Sequence, residues 1–312
     1  MTDPIAGVVV SGTGGVWRVH LAGTGETIDA SMRGRLKLER EGETALKLAV
    51  GDHVEVAQEA STGAWRIGTI LPRSSTLARR SPSGRGERVV IANIDQVVVV
   101  FALVSPEPHP AMLDRFLAIA EANDIAARVV VNKVDLADDA FARTLFGHYA
   151  TIGYPVHVTS VREARGLDDL HDALVGRTSA LSGPSGVGKS SLINALYPGL
   201  DLRVGEISSS VNKGRHTTVG AHLHPLPDGG FVADTPGLRE VGLWGLDPTS
   251  LDQCFPEFRV WLGECRFGDC THRVEPGCAV RAAVDAGQVA LVRYESYRKL
   301  RAELEEATTE RW

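Results

Sequence analysis

The sequence is organised around the run Gly183-Pro184-Ser185-Gly186-Val187-Gly188-Lys189-Ser190. It fits the pattern of a Gly, four residues of any kind and then Gly-Lys-Ser, which builds a loop whose backbone N–H groups turn inward around a phosphate. Glycine is needed in such a loop because other residues clash at some of the backbone angles. The pattern predicts that Lys189 contacts the β- and γ-phosphates of a nucleoside triphosphate and that Ser190 ligates Mg²⁺.

The residues on either side of this run have the spacing that such a loop requires. The apolar segment 178–181 precedes it as a strand would, and residues 191–196 follow it with the apolar spacing of a helix. The N-terminus of that helix, which begins near Ser191, would face the bound anion. We therefore expect the whole run, together with Ser191, to bind the nucleotide.

Length and composition bound the class of protein. The chain has 312 residues, of which 43% are hydrophobic, so two or three domains with sizeable cores are expected. No apolar run approaches the roughly 18 residues that span a membrane, and residues 5–10 are too short for a signal peptide. A net charge of −6 argues against a protein that coats nucleic acid everywhere, although it permits a local basic patch.

Short β-prone runs separated by Gly-rich turns fill the first eighty residues. They cover residues 7–10, 17–21, 27–32, 53–56 and 65–71. Five such runs predict a small barrel, and an OB-fold is the leading candidate. Arg33, Arg35 and Lys37 alternate, so on a strand they would share one face. That face fits contact with an RNA backbone, and the alternative is a solvated face among acidic neighbours; both interpretations stay open.

The middle of the chain begins with a segment, 72–88, which we interpret as a linker because its prolines, glycines and arginines make it too polar and broken to pack a core. The segments 89–91, 97–101 and 128–131 are continuously apolar, as in strands buried on both faces, and 112–122 has helical spacing. This alternation of strand and helix predicts a mostly parallel sheet that is covered on both faces.

Asn132-Lys133-Val134-Asp135 follows one of these strands and fits a guanine-reading motif. The Asp135 carboxylate can accept hydrogen bonds from N1–H and the 2-amino group of guanine, whereas adenine offers neither donor. A buried polar group left unpaired in this way discriminates by roughly 10⁴–10⁵. Asn132 would bond the base, and the stem of Lys133 would cover one ring face. Thr159 and Ser160, which follow a later strand, could complete the base pocket.

Two further segments have the character of nucleotide-sensing loops. Thr217 and Thr218 lie in a long polar loop, and either hydroxyl could complete the Mg²⁺ shell when the γ-phosphate is present. Asp234-Thr235-Pro236-Gly237 fits Asp-x-x-Gly, in which Asp234 contacts Mg²⁺ through water and the Gly237 N–H meets the γ-phosphate. The base-reading motif precedes the phosphate loop here, which is the order of a circularly permuted GTPase.

The residue after Asp-x-x-Gly is Leu238, which cannot orient an attacking water, although many GTPases have a Gln there. His216 is the best candidate for that role, because an imidazole can hydrogen-bond a water near neutral pH. Arg215 is the rival, as a cation that would stabilise the transition state. A third interpretation is that both residues contact only RNA or solvent.

Near the C-terminus, Cys265-x4-Cys270-x-His272-x5-Cys278 places three thiols and an imidazole within fourteen residues. This set suits tetrahedral zinc, and because the protein supplies all four ligands the site should be structural. Such a cluster fits a metal site in a reducing cytosol better than a disulfide framework. Cys254 lies outside the spacing and is interpreted as a core thiol. Two helical stretches follow, 279–286 and 288–306, and the apolar stripe Leu291, Tyr294, Tyr297 and Leu300 on the second is expected to pack.

The OB-like front, the permuted motif order, Gly214-Arg215-His216-Thr217-Thr218 and the terminal Cys-x4-Cys-x-His-x5-Cys together resemble the ribosome small-subunit-dependent GTPase A family (RsgA, also YjeQ). The resemblance covers nearly the full length. It implies a multidomain α/β protein with an OB-fold barrel at 1–80, a circularly permuted P-loop GTPase domain at 81–245 and a helical zinc-binding domain at 246–312.

The same resemblance implies a cytoplasmic GTPase that uses Mg²⁺, holds one structural zinc and acts late in maturation of the small ribosomal subunit. It would contact 16S ribosomal RNA and be stimulated by the 30S subunit; we expect a monomer. The alternative is a nucleotide-gated RNA-binding or scaffold module in which hydrolysis is incidental. Turnover with and without 30S subunits separates the two.

Overall fold

A computed structural model describes residues 2–32, 47–80, 87–200, 202, 221–234 and 246–309. None of the helices within these ranges combines the length and apolar character that crossing a membrane requires.

A closed five-stranded barrel forms the N-terminal part. Its strands are β1 (Ile5–Thr13), β2 (Val16–Leu21), β3 (Thr27–Met32), β4 (His53–Gln58) and β5 (Trp65–Ile70). They are joined in the order β1-β2-β3-β5-β4, and β1 closes the barrel by pairing with β4. Alternate residues such as Val19, Val54 and Ile67 point inward and are fully buried. The OB-like barrel predicted from the sequence is confirmed.

A two-stranded hairpin follows the barrel. Its first strand and the start of its second lie within 72–88, which corrects the interpretation of that segment as a linker, whereas the strand predicted at 89–91 is present. β6 (Thr76–Arg80) pairs antiparallel with β7 (Glu87–Ala92). Leu77 and Ile91 are opposite one another and completely buried. Ala92, the last residue of β7, is also fully buried, so apolar side chains of both strands anchor the hairpin. The proposed domain boundary between residues 80 and 81 falls within this hairpin and stays a prediction.

The central element is a six-stranded sheet in the order β10-β9-β8-β11-β13-β12. Its strands are β8 (Gln96–Ala102), β9 (Ala126–Asn132), β10 (Val156–Val158), β11 (Thr178–Ser182), β12 (His222–Pro225) and β13 (Phe231–Asp234). All neighbours are parallel except β12 and β13. The mostly parallel sheet is therefore confirmed.

Helices cover both faces of this sheet. They are α1 (Pro110–Ala122), α2 (Asp139–Thr151), α3 (Leu167–Leu174) and α4 (Lys189–Leu196). Residues of α1 and α2, such as Leu117 and Phe146, share one hydrophobic core, whereas residues of α3 and α4, such as Leu170 and Leu192, share another. Because both faces of the sheet are covered, every residue of β8 is buried, and all of them except Gln96 are apolar.

The C-terminal part packs against α1. It contains short 3-10 helices at Leu251–Cys254 and Pro256–Trp261, followed by α5 (Ala279–Asp285) and α6 (Leu291–Thr309). Cys254 is buried in the core, as predicted. The stripe on α6 is buried at Tyr294, Tyr297 and Leu300, but Leu291 is 59% exposed because it begins the helix beyond the packed turns.

A buried ion-pair network joins this part to the sheet domain. Arg293 of α6 is completely buried and donates from Nη1 to Asp114 Oδ1 of α1 at 2.7 Å. Its Nε and Nη2 donate to Glu257 at 2.6 and 3.1 Å. The Tyr149 hydroxyl of α2 also donates to Asp114 Oδ1, at 2.7 Å. The guanidinium lies over the Phe255 ring, 4.5 Å from its centroid. These contacts fix α6 to two helices of the sheet domain.

Candidate nucleotide site and metal centre

The Gly-Lys-Ser run lies between β11 and α4, as a phosphate-binding loop must. Gly183 and Gly188 have φ angles of +124° and +96°, in the left-handed region that favours glycine. A Cβ on Gly183 would lie 2.0 Å from the Val100 carbonyl oxygen, and one on Gly188 would lie 2.5 Å from Asn132 Nδ2. Both glycines are therefore required by close contacts as well as by backbone angle.

The lysine of this loop is 4% exposed, and its amine is held over the loop. Lys189 Nζ donates to the carbonyl oxygens of Gly183 at 2.7 Å and Pro184 at 2.6 Å. Ser190, the second residue of α4, is 6% exposed. The positive end of a helix, its first N–H groups and a lysine thus converge on one point, which is an arrangement that binds phosphate.

Asn132 joins the base-reading segment to the phosphate loop. Its side chain is 2% exposed, and Nδ2 donates to the Val187 carbonyl oxygen at 2.9 Å. The Thr159 hydroxyl donates to Asn132 Oδ1 at 3.2 Å. Because β9, β10 and β11 are parallel, their carboxyl ends meet at one edge of the sheet, where ligands bind in such folds. The two motifs, about fifty residues apart in sequence, therefore form one site.

Lys133 and Asp135 are held in place by their neighbours. Lys133 Nζ donates to the Gly186 carbonyl oxygen at 2.6 Å and also to that of Ser105. The Ser160 hydroxyl donates to Asp135 Oδ1 at 2.7 Å and accepts from the Glu163 backbone N–H. The Ser160 hydroxyl therefore holds the Asp135 carboxylate in a defined orientation.

Ser105 was not anticipated from the sequence. It lies in the loop between β8 and α1, next to the phosphate loop, and its carbonyl oxygen receives the Lys133 amine. The available signal was position: residues that follow a parallel strand lie at the same edge as the site.

Several predicted site residues lie outside the described residues. β13 pairs with β11 from Phe231 to Ala233, so the backbone of Asp234 is beside the strand that delivers the phosphate loop, but its side chain is not described. The others outside the described ranges are Gly237, His216, Thr217, Thr218, Arg33, Arg35 and Lys37. Their roles stay predictions.

The predicted metal ligands form a compact cluster. The Sγ atoms of Cys265, Cys270 and Cys278 and a ring nitrogen of His272 all lie within 4.8 Å of one another. Cys265 Sγ is 4.0 Å from Cys278 Sγ, and His272 Nδ1 is 3.6 and 3.4 Å from those two sulfurs. A tetrahedral zinc with bonds of about 2.3 Å to sulfur would separate its ligand atoms by roughly 3.5–3.8 Å. The donor set and its spacing fit zinc.

The surroundings of the cluster hold its ligands in position. His272 Nε2 lies 3.3 Å from Asp252 Oδ2, which fixes the ring so that Nδ1 faces the thiols. Backbone N–H groups of Ala279 and Arg281 donate to Cys265 and Cys278, and the latter sulfur caps α5. Asp252 was also missed from the sequence, because it lies twenty residues from the histidine.

A carboxylate closes the loop between two of the ligands. Glu275 accepts from the backbone N–H groups of Thr271, Arg273 and Val274 at 2.9, 2.9 and 3.0 Å. Burial alone would raise the pKa of Glu275, but the hydrogen bonds from Thr271 and the backbone outweigh it and hold that pKa below its usual range. The Tyr294 hydroxyl donates to the His272 carbonyl oxygen at 2.7 Å, so α6 supports the same loop.

Known proteins are similar to this chain in sequence and in fold. The model of the RsgA GTPase family matches residues 70–244. The small ribosomal subunit biogenesis GTPase RsgA of Gemmatimonas aurantiaca is 62% identical over 97% of this chain and 99% of that protein. Two solved structures also match. YjeQ from Thermotoga maritima has a TM-score of 0.78 and 34% identity over 96% of this chain and 98% of that one. YloQ, described as a circularly permuted GTPase, has a TM-score of 0.75 and 30% identity over 98% and 96%.

The family match spans more than half of the chain, and these relatives cover nearly all of it. The motif order in this sequence agrees with the description of YloQ as a circularly permuted GTPase. The chain therefore belongs to the RsgA family of circularly permuted GTPases.

Proposed function

We propose that this protein hydrolyses GTP to GDP and phosphate during late maturation of the small ribosomal subunit, and that the 30S subunit stimulates the reaction. The observation that carries the proposal is the junction of base-reading and phosphate-binding segments at Asn132 Nδ2 and the Val187 carbonyl oxygen. The curated relatives that match over nearly the full chain are called small ribosomal subunit biogenesis GTPases, which supports the ribosomal role.

Recognition of GTP rests on two ends of the site. Asp135, held by Ser160, accepts from N1–H and the 2-amino group of guanine, while the Lys133 stem covers the ring. At the other end Lys189 exchanges its loop carbonyls for phosphate oxygens, and the N–H groups of Gly186, Gly188 and the start of α4 surround the β-phosphate. Only a guanine nucleotide with phosphates satisfies both ends.

Magnesium and the catalytic water involve residues near the γ-phosphate. Ser190, Asp234 and either Thr217 or Thr218 would hold Mg²⁺, which when bound neutralises charge on the phosphates. His216 would orient the attacking water in place of the glutamine that Leu238 replaces. The buried, preformed position of Ser190 at the start of α4 supports the metal assignment.

The remaining parts of the proposal concern zinc, partners and location. Cys265, Cys270, His272 and Cys278 would hold one structural zinc, with no ligand position left for catalysis. Arg33, Arg35 and Lys37 would contact 16S ribosomal RNA. A monomeric, cytoplasmic protein fits this role.

The test is GTP turnover by the purified protein with and without 30S subunits. We expect strong stimulation in the parent, none in Lys189→Ala or Ser190→Ala, and a loss of about 10²-fold or more in His216→Ala, the scale of a lost water-positioning group. His216→Ala should still bind GTP and the subunit. If 30S subunits do not stimulate the parent, the scaffold alternative replaces this proposal. If they stimulate His216→Ala fully, Arg215 or a ribosomal group positions the water.

A further inference from the structure

A groove lies between α2 and β10, the strand at one edge of the central sheet. Its volume is about 340 Å³, which is at the lower end of the range for small-molecule sites. Three valines of β9 and β10 form its floor, one side of α2 forms its wall, and two exposed arginines lie at its rim. No carboxylate is among the described residues that line it. The groove is therefore apolar inside and basic at its mouth.

The floor belongs to the face of the sheet that α1 and α2 cover. Val156 and Val158 pair with Val129 and Val131 of β9, and alternate residues of a strand point to the same face. Val131 is part of the core that α1 and α2 share, so Val156 and Val158 point toward α2 as well. Because β10 has no strand beyond it, both of its valines are only half-buried. Carbon surface is thus available to a ligand at this edge.

Small side chains on α2 leave the space above this floor. At about 100° per residue the lining residues of α2 fall within an arc of about 140°; they are Ala142, Arg143, Phe146, Gly147 and Ala150. A Cβ on Gly147 would meet no atom within 4 Å, and its φ is not in the left-handed region. Neither crowding nor backbone angle requires glycine there, although glycine in a helix interior costs about 1 kcal/mol relative to alanine. The missing side chain leaves room for a ligand.

The two arginines start from the groove side of their elements. Arg143 belongs to the arc of α2 just described. Arg165 pairs with Ser160 in an antiparallel bridge, in which each N–H donates to the other residue's carbonyl oxygen, at 2.9 and 3.0 Å. Ser160 is two residues beyond Val158 and shares its face, and directly paired residues point to the same side. Positive charge therefore lies at two points of the rim.

The backbone beside β10 excludes an added strand as the occupant. A Cβ on Gly166 would lie 2.1 Å from the Val158 carbonyl oxygen, so the chain's own loop already covers this end of the strand. The strand has only three residues, Val156–Val158, which leaves too little edge for an extended peptide to pair with. The confined space suits a small molecule instead.

We propose that this groove binds a small compound with an apolar body and one anionic group, such as an aliphatic or aromatic carboxylate. The apolar body lies on Val156, Val158 and Phe146 and removes their carbon surface from water. The carboxylate accepts hydrogen bonds from the guanidinium groups of Arg143 and Arg165 at the rim, a geometry that arginine matches well. A cation is disfavoured because the described lining offers it no carboxylate. The site is separate from the nucleotide site and does not depend on GTP hydrolysis.

The test uses the full-length protein saturated with GDP and Mg²⁺, so that the nucleotide site cannot take up the probe. Decanoate is titrated calorimetrically, beside 1-decanol and decyltrimethylammonium, which carry the same chain with no charge and with a positive charge. We expect one equivalent of decanoate to bind, about tenfold or more tightly than either of the other two, because only decanoate forms charged hydrogen bonds with the arginines. The double variant Arg143→Gln, Arg165→Gln should lose that advantage and bind decanoate about tenfold more weakly.

Gly147→Leu tests the space itself. Leucine is a better helix former than glycine and its Cβ has room, so the variant should fold at least as stably as the parent. Its side chain occupies the groove and should weaken decanoate binding by about tenfold or more. Thr144→Leu is the matched control, because it adds the same side chain to an exposed position of α2 outside the groove and should bind as the parent does.

Three results would each overturn the proposal. The first is that decanoate does not bind the GDP-saturated protein. The second is that the three decyl probes bind equally well, because the arginines then play no part. The third is that either the double arginine variant or Gly147→Leu binds decanoate as tightly as the parent, because the compound then binds elsewhere.

Discussion

At the scale of single residues, we propose that base selection rests on the side chain of Asp135. Its Oδ1 accepts from the Ser160 hydroxyl at 2.7 Å, and this bond fixes the orientation of the carboxylate at the edge of the sheet where the strands end. Asp135→Asn should lose affinity for GTP by about 10²-fold or more, because an amide donor then opposes the donors of guanine. The same variant should gain affinity for xanthosine triphosphate, whose 2-oxo group accepts from an amide. Competition binding with GTP and xanthosine triphosphate measures this change of nucleotide preference.

Asp138→Asn is the control for that measurement. Asp138 caps α2 by accepting from the Phe141 N–H at 2.7 Å, and asparagine caps a helix about as well. It changes the same charge three residues away without touching the base, so its preference for GTP should match the parent. An Asp135→Asn protein that retained the parent's preference would show that the base is read elsewhere.

Sequence reasoning found the residues that belong to short motifs and missed those that act on them from a distance. Asn132, Lys133 and the phosphate loop were predictable because each motif is continuous and follows an apolar strand. Ser105, which receives the Lys133 amine, and Asp252, which orients His272, belong to no sequence motif, and only the position of Ser105 after a parallel strand hinted at its role. Their roles arise only when the chain brings together positions that are 20 to 28 residues apart.

At the scale of elements, the phosphate loop is a tight turn with no room for a methyl group at Gly188. A Cβ there would lie 2.5 Å from Asn132 Nδ2 and would also occupy a backbone angle that disfavours alanine. Gly188→Ala should therefore displace Asn132 from Val187 and weaken GTP binding by about tenfold or more. Isothermal titration with GDP and GTP measures this loss.

Gly199→Ala separates backbone strain from the loss of that contact. Gly199 has a φ of +106°, but a Cβ there meets no atom within 4 Å. In Gly199→Ala the free energy of unfolding should fall by about 1–2 kcal/mol, which is the cost of a left-handed backbone for alanine, yet nucleotide should bind normally. Equal losses of affinity in both variants would mean that the Asn132 contact does not matter for the site.

The candidate metal centre gives a second prediction at this scale, which concerns its zinc content. Protein purified without added metal should contain about one equivalent of zinc per chain, because the four ligands are already within 4.8 Å of one another. Cys270→Ser should lose most of it, whereas Cys254→Ser, which changes a buried thiol outside the cluster, should retain it. Elemental analysis gives the answer, and less than about a tenth of an equivalent in a folded parent would rule out a structural zinc.

The hairpin β6–β7 shows where reading elements from sequence fails. β6 carries arginines and lies in a segment broken by proline and glycine, so local composition predicts a linker there, although the apolar run 89–91 of β7 predicts a strand. The strands form because Leu77 and Ile91 are buried together and because Asn93 bonds the barrel loop, donating to the Gly51 carbonyl oxygen at 2.9 Å. Tertiary contacts decided the structure against the local pattern.

At the scale of the whole molecule, permutation places the C-terminal part directly after the segment that begins at Asp234. That part is also anchored to α1, the helix that follows the Ser105 loop at the nucleotide edge. Arg293 and Asp114 are 179 residues apart in sequence, so no local pattern could have indicated their contact. The Arg293–Asp114 contact therefore joins the C-terminal part to α1, and the loop before α1 supplies the Ser105 carbonyl oxygen that receives the Lys133 amine.

Two arginines join the same pair of helices and differ mainly in burial, which allows the anchor to be tested. Arg293 of α6 is fully buried between Asp114 and Glu257, whereas Arg115 of α1 pairs with Glu303 of α6 at the surface, with side-chain exposures of 25% and 47%. Arg293→Met would leave two buried carboxylates without a counter-charge, at a cost of about 3–5 kcal/mol. Arg115→Met removes a solvent-screened pair worth about 1 kcal/mol or less.

Hydrogen–deuterium exchange of the α6 amides reads this difference locally, without assuming that the whole chain unfolds in one step. In Arg293→Met, exchange along α6 should accelerate by about a hundredfold or more, the factor that corresponds to at least 3 kcal/mol. In Arg115→Met it should rise by less than about tenfold. Amides of the barrel strands should exchange alike in both variants and the parent. If the two variants accelerate α6 equally, the buried network is not what holds the C-terminal part on α1, and packing of Tyr294, Tyr297 and Leu300 must suffice.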